Sequence, residues 1–188
     1  TGRLIQRAAA EVMVKHVSLE LGGKNPMIVF ADADIEKAVE GAARGMNFHW
    51  SQGQSCGSTT RLFLHRDIHD DFVQRLKQRV ERIVIGDPLD PRTEMGCVVS
   101  KAQYDKACKY IALGREQGAV CLTGGGRPEG ADFAHGHFLR PTVFTAVRND
   151  MRIAQEEIFG PVLACVRVKD MSEAVQLVND HEFGNGVA

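Results

Sequence analysis

The chain has 188 residues, 44% hydrophobic and 25% charged, and 23 Lys and Arg against 24 Asp and Glu leave a formal net charge of −1. A globular chain of this size buries roughly 70% of its unfolded surface, so its core needs no metal or disulfide staple, and the composition excludes disorder and collagen-like repeats. The near balance of charge, with no basic run, argues against nucleic acid as a partner, and no apolar stretch approaches the roughly 18 residues that would cross a membrane.

Five cysteines stand at positions 56, 97, 108, 121 and 165. Their odd number and the lack of a Cys-x-x-Cys pair predict neither a disulfide framework nor a metal site, and the thiols fit a reducing cytoplasm. No signal peptide opens the sequence. Thr1-Gly2-Arg3 begins without Met and Gly186-Val187-Ala188 ends in mid-pattern, as in a segment of something longer.

In chain order, residues 3–10 favour helix and residues 16–21 read as a short strand. Gly22-Gly23-Lys24-Asn25-Pro26 is a turn, because paired glycines admit unusual backbone angles and proline biases Asn25 away from helix. Met27 to Phe30 form a short apolar run that reads as a buried strand. Asp34 is placed to cap a helix carrying Ile35, Val39, Ala42 and Met46 at helical spacing and ending near Trp50. A strand follows at 61–65. A second helix carries Ile68, Phe72, Leu76, Val80 and Ile83 on one stripe, with Asp67 ahead of it as a cap.

A third helix starts at Ser100, shows Tyr104, Cys108 and Ile111 on one face and ends near Gly118. Strands are expected at 119–122, 142–147 and 162–168, with Gly124, Gly125, Gly126 and Gly130 in a surface hairpin or loop. A fourth helix starts at Ser172 and carries Ala174, Val175, Leu177 and Val178. Alternating helices and short β-rich runs predict an α/β fold with a largely parallel sheet and helical crossovers.

The segment Trp50-Ser51-Gln52-Gly53-Gln54-Ser55-Cys56-Gly57-Ser58-Thr59-Thr60 concentrates the only Trp, two amides, hydroxyls and a thiol between a helix and a strand. A thiol in such a loop can meet a substrate. Local context alone supports a nucleophile and a structural thiol equally. Packing is the expectation for Cys97, Cys108, Cys121 and Cys165. Most of the seven histidines are read as surface residues, and none has a spacing that demands a metal.

Glu20 sits among apolar neighbours in Leu19-Glu20-Leu21. A partly desolvated carboxylate there would suit a general base, whereas an edge-strand carboxylate would face water. Gln155-Glu156-Glu157-Ile158-Phe159-Gly160-Pro161 reads either as a capped turn with a core Phe, or as a loop whose carboxylate grips hydroxyls beside an aromatic wall.

Together these segments resemble the aldehyde dehydrogenase superfamily. The residues that carry the resemblance are Leu19-Glu20-Leu21-Gly22-Gly23-Lys24-Asn25-Pro26, then Gln52-Gly53-Gln54-Ser55-Cys56, then Gly86-Asp87-Pro88-Leu89-Asp90-Pro91. Gly136-His137-Phe138-Leu139-Arg140-Pro141-Thr142 and Glu156-Glu157-Ile158-Phe159-Gly160-Pro161-Val162 follow, and Asn179 to Gly184 fits the tail. They stand in the family's order and span nearly the whole chain.

The resemblance implies residues 1–21 as the end of a cofactor-binding domain (its last helix and strand) and 22–188 as the catalytic domain, truncated at its C-terminus. It implies Cys56 as nucleophile and Glu20 as general base. Glu157 would hold the nicotinamide ribose, Phe159 would pack near the nicotinamide, and Leu21 and Gly22 would line the cofactor seam. The implied activity is oxidation of an aldehyde to a carboxylic acid with NAD or NADP, through a cysteine thiohemiacetal and thioester. Relatives that transfer the acyl group to coenzyme A generally lack the glutamate, so Glu20 favours a free acid as product. A homodimer or homotetramer is implied for the whole enzyme.

The interval between Glu20 and Cys56 is slightly longer than the family's commonest, which resembles a bacterial subgroup acting on bulky or aromatic aldehydes. The 188 residues by themselves are expected to be inactive as a dehydrogenase. A cofactor-independent thiol esterase and a non-enzymatic structural module are the alternatives on the same fold.

Overall fold

The computed structural model describes residues 1–188. Its elements are α1 (Gly2–Val12), β1 (Pro26–Val29), α2 (Ile35–Gly45), α3 (Phe48–Ser51), β2 (Arg61–His65), α4 (His69–Glu81), α5 (Lys101–Glu116), β3 (Val120–Thr123), β4 (Thr142–Thr145), α6 (Arg152–Gln155), β5 (Val162–Val168) and α7 (Met171–Asn179), with one 3₁₀ turn at Ala131–Phe133. Five strands form one sheet in the order β1-β2-β5-β4-β3. Every pairing is parallel except that of β3 with β4. The α/β class and the largely parallel sheet are therefore as the alternating pattern predicts.

Side chains alternate across a strand, so a sheet covered on both faces must be apolar on both. Leu62, Leu64, Leu163 and Cys165 enter a core on one face, with Val39, Ala42 and Met46 from α2 and its end and Phe72, Leu76 and Val80 from α4. Phe63, Ala164 and Val166 enter a second core on the other face, with Ala107, Tyr110 and Ile111 of α5, Ile153 of α6 and Ala174 of α7. The site lies at one end of this sheet, where the chain runs into β1 and β2 and out of α6.

Capping accounts for several helix starts. The Asp34 carboxylate accepts from the Lys37 N–H, the Ser100 hydroxyl from the Gln103 N–H and the Asp170 carboxylate from the Glu173 N–H. Each satisfies a backbone donor that the first helical turn leaves free. Because Asp170 is the cap, α7 begins at Met171, one residue before the expected Ser172.

Four expectations need correction. Residues 16–21 form no strand: they have no ladder partner, and His16, Ser18, Glu20 and Leu21 are exposed. Asp67 does not cap α4, which has Ile68 at its N-cap; the Asp67 carboxylate instead lies 3.6 Å from both His65 and Arg66. Cys97 is exposed rather than packed, whereas Cys108 and Cys121, although only half-buried, pack against the second core as expected. His69 is buried, with one ring nitrogen beside Asp70 and the other 3.2 Å from the Thr145 hydroxyl.

Two boundaries shift for a backbone reason. Asn47 has φ +58°, so the helix expected to reach Trp50 breaks into α2 and the short α3. Ala146 has φ +54°, which ends β4 at Thr145. Left-handed backbone interrupts both helix and strand.

Candidate active site

Three backbone segments converge. The first is residues 20–25, ahead of β1. The second is the loop from α3 to β2, and the third is the turn from α6 to β5. A cleft of 610 Å³ between them is lined by Glu20, Leu21, Gly22, Cys56, Glu157 and Phe159, joined by Asn47, Trp50, Gln54 and neighbouring serines. All six residues singled out from the sequence thus face one space.

The Cys56 loop is built by turn chemistry. Gln52 and Gly53 both adopt left-handed backbone, at φ +54° and +69°, which ends α3 and reverses the chain. The Ser58 N–H then bonds the Ser55 carbonyl, closing a turn whose two central residues are Cys56 and Gly57. The Ser55 hydroxyl accepts from the Gly57 N–H at 3.1 Å. Cys56 is half-buried at the corner of this turn, and its own N–H meets no acceptor within the chain.

The carbonyl of Cys56 is clamped. Asn25 Nδ2 donates to it at 2.7 Å and Asn185 Nδ2 at 2.8 Å. Asn25 also donates to the Ser58 carbonyl, and its Oδ1 accepts from the Gly186 N–H at 2.9 Å. The tail reaches this place because Ala188 lies along β1, bonded to Pro26 and Ile28. Gln54 ties the same loop down by accepting from the Val99 N–H at 2.9 Å.

Asn25 and Asn185 carry a structural role that the sequence pattern does not assign. A signal is present at Asn25, a polar residue enclosed between glycines and proline. Asn25→Ala is expected to destabilise the chain by about 2–3 kcal/mol, because buried carbonyls and an N–H lose their partner. Urea unfolding measures this, and a cost under about 0.5 kcal/mol would contradict the clamp.

On the opposite wall, the Gly23 N–H donates to Glu157 Oε1 at 3.1 Å. Gly22 makes room for this carboxylate: a Cβ there would lie 2.4 Å from Glu157 Oε2. Phe159 adopts φ +57°, an unusual conformation for a bulky residue. Gln103 holds it there, donating from Nε2 to the Ile158 and Phe159 carbonyls at 2.9 and 2.6 Å. Backbone strain of this kind persists only where surrounding contacts fix it.

The two adjacent carboxylates behave differently. Glu156 turns away from the cleft onto Arg152, which donates to both its oxygens at 2.6 and 2.9 Å, and onto the Tyr110 hydroxyl. Arg152 first, then Tyr110, hold its carboxyl down to about 2. Glu157 keeps one protein hydrogen bond and faces the cleft. The two sequence readings of this segment are thus divided between neighbours, with Glu156 the structural carboxylate.

Glu20 lies at the cleft and is exposed, so of its two sequence readings the carboxylate that faces water is the one seen, although no strand carries it. Trp50 is 88% exposed, on the rim between this cleft and a charged one of 480 Å³ containing Glu40, Arg44, His49 and Arg79.

A sequence profile described as the aldehyde dehydrogenase family matches residues 1–188. The chain is 50% identical, over 184 residues, to proteins named betaine aldehyde dehydrogenase from Mesorhizobium japonicum and from Brucella anthropi. Each match covers 98% of this chain and 37% of the relative, so the chain spans little more than a third of the curated relatives' length. Among solved structures, betaine aldehyde dehydrogenase from Staphylococcus aureus in complex with NAD+ superposes with a TM-score of 0.91 at 41% identity, covering 99% of this chain and 36% of that one. A mutant aldehyde dehydrogenase from Bacillus cereus gives 0.89 at 39% identity, with 99% and 36% covered. With the profile matching from first residue to last, the chain belongs to the aldehyde dehydrogenase family.

Proposed function

We propose that this chain is the nucleophile-bearing part of an enzyme that oxidises an aldehyde to a carboxylic acid with NAD+ or NADP+. Residues 1–21 are read as the end of the cofactor-binding domain and residues 22–188 as catalytic domain. The observation that carries the proposal is the convergence of Cys56, Glu20, Glu157 and Phe159 on one cleft.

The roles follow from position. The Cys56 thiolate attacks the aldehyde carbonyl carbon. The unpartnered Cys56 N–H is one donor available to the resulting oxyanion. A nicotinamide held there would supply the hydride acceptor that lets the Cys56 thiohemiacetal become a thioester. Glu157, cradled by Gly22 and Gly23, suits the vicinal hydroxyls of a ribose, and Phe159 supplies an apolar wall beside it; Leu21 continues that wall. Glu20, free at the cleft, activates the water that hydrolyses the Cys56 thioester to a free acid.

The residues present therefore fit a nicotinamide ribose. The relatives are named for betaine aldehyde. The exposed Trp50 indole at the rim offers the kind of face that attracts a quaternary ammonium, and we extend that substrate class to this chain on those two grounds.

The 188 residues alone are expected to turn over little or no NAD+. Glu20 and Leu21, which line the cleft, are exposed, so the cleft is open to solvent beside them. The clamped Cys56 turn does not depend on that side. Brief treatment with p-nitrophenyl acetate should therefore add one acetyl group to the 20.6 kDa chain, mapping to Cys56 in intact-mass and peptide analysis. Acetylation spread over several thiols, or none at Cys56, would count against a preassembled nucleophile. Rapid ester turnover without cofactor would instead favour the thiol esterase reading.

A further inference from the structure

Trp50, the indole proposed to meet a cationic aldehyde, is 88% exposed, so its place over the cleft is set by the helix that carries it and not by side-chain packing. That helix is α3, only four residues long, with left-handed backbone just before it at Asn47 and just after it at Gln52. So short a helix has little stability of its own. Phe48, fully buried, anchors one side of it in the core. His49 anchors the other. Its side chain is only 18% exposed, in the charged cleft of 480 Å³ that shares Asn47 and Trp50 with the Cys56 cleft.

The charged groups around His49 are Glu40 and Arg44 from α2, Arg79 from α4 and Glu94 from the segment ahead of α5. Arg79 donates from Nε to Glu40 Oε2 at 2.6 Å and from Nη2 to Oε1 at 3.4 Å, and Arg44 Nε donates to Oε1 at 2.7 Å. A guanidinium bound to a carboxylate in this way is a fixed fork. Its Nη2 also stands 3.2 Å from His49 Nε2. Arginine only donates, so Nε2 accepts, and the imidazole is neutral with its proton on Nδ1. Glu94 Oε1 lies farther from the same Nε2, at 3.7 Å.

We propose that His49, gripped by Arg79, is a positioning residue: it holds α3 so that Trp50 stands over the Cys56 cleft, and as a neutral ring it leaves that rim receptive to a cationic aldehyde. The inference rests on reading Trp50 as the face that meets the substrate. Burial first, and Arg79 second, keep the His49 imidazole below the usual histidine range. Falling pH protonates it. Nε2 then no longer accepts from Arg79, Glu94 draws the ring instead, and a positive charge arises on the residue next to Trp50. Binding of a cation therefore weakens in acid.

Trp50 is the only Trp in the 188 residues, so its fluorescence reports its own mobility. At about pH 8, His49→Ala should lower the anisotropy of that emission, and Arg79→Met should do the same. Arg79→Met serves alone should the first variant not fold. His49→Gln should restore the anisotropy, because an amide oxygen accepts from Arg79 as the ring nitrogen does. Unchanged anisotropy in His49→Ala and Arg79→Met, or an equal fall in His49→Gln, would overturn the proposal.

In the full-length enzyme the probes are betaine aldehyde and its uncharged isostere, with a tert-butyl group in place of trimethylammonium. His49→Ala should raise KM for betaine aldehyde about fivefold and leave kcat within about twofold, the size of an exposed cation–π contact. From about pH 8 to about pH 5.5, KM for betaine aldehyde should rise relative to that for the isostere, and His49→Gln should remove this rise. A ratio that stays flat in the unmodified enzyme, or rises equally in His49→Gln, overturns the neutral-ring role. The Trp50 reading fails separately, if Trp50→Ala leaves KM for betaine aldehyde unchanged; the anisotropy then decides the positioning by itself.

Discussion

Cys56→Ala is expected to lower aldehyde oxidation by the full-length enzyme by about 10⁴-fold or more, because the covalent route proposed for Cys56 is lost entirely. Its effect on stability should be small. The thiol is only half-buried, and the contacts that fix the loop are made by the Cys56 carbonyl with Asn25 and Asn185, which alanine keeps. A large fall in rate with an unchanged urea midpoint is therefore the signature sought.

Cys97 and Cys121 provide the comparison. Cys97 is exposed yet lies in a different loop, and Cys121 is half-buried in β3. Alanine at either should leave the rate within about twofold, as for most substitutions away from a site. Residual activity above about 1% in Cys56→Ala would mean that another group is the nucleophile. Cys165 is a poor substitute: it is fully buried, and burial pushes its thiol up to about 12, so almost none is ionised near neutral pH.

How far these features can be read from sequence depends on whether they are local. The apolar stripe of α4 is one: Ile68, Phe72, Leu76, Val80 and Ile83 are all buried, as helical spacing requires. The strands β2 and β5 lie where their apolar runs predict. Asp34 and Ser100 cap because the needed N–H lies three residues on. Residues 16–21 fail as a strand because a strand needs a neighbour, and no pattern within so short a segment says whether one exists. Asp67 looks like a cap in sequence, but two nearby cationic or titratable side chains, His65 and Arg66, compete for its carboxylate.

The cleft shows the same division. Cys56, Glu20, Glu157 and Phe159 stand out by residue type and motif. Their shared cleft joins distant chain positions, with Glu20 and Glu157 near opposite ends of the sequence. The supports are not legible. Asn185 reaches Cys56 only because the tail folds along β1, and Gln103 reaches Phe159 only because α5 packs against α6. Lys24 and Arg61 are charged residues that composition places outside, and only the structure shows them fully buried. Long-range supports depend on topology, so a local pattern does not announce them.

Gly53→Ala is expected to destabilise the protein by about 3 kcal/mol, through backbone strain and steric overlap together. At φ +69° a side chain is disfavoured by about 1–2 kcal/mol. The added Cβ would also lie 2.4 Å from the Gly160 carbonyl oxygen and 2.8 Å from Met46 Cε. Met46 is flexible, but Gly160 is not free to move. Its carbonyl accepts the Val162 N–H, and its Cα faces Ala107. Gly118→Ala separates the two contributions. Gly118 has φ +93°, and a Cβ added there would meet nothing within 4 Å, so only backbone strain remains. That strain is worth about 1 kcal/mol. If urea unfolding gave the two variants the same cost, the close approach of the Cys56 loop to the Phe159–Gly160 turn would be wrong. The functional consequence follows from the same contact. Gly53 against Gly160 is where the wall bearing Cys56 meets the wall bearing Glu157 and Phe159. Pushing them apart by even about 1 Å should cost the full-length enzyme about 10²-fold in rate at temperatures where it is still folded.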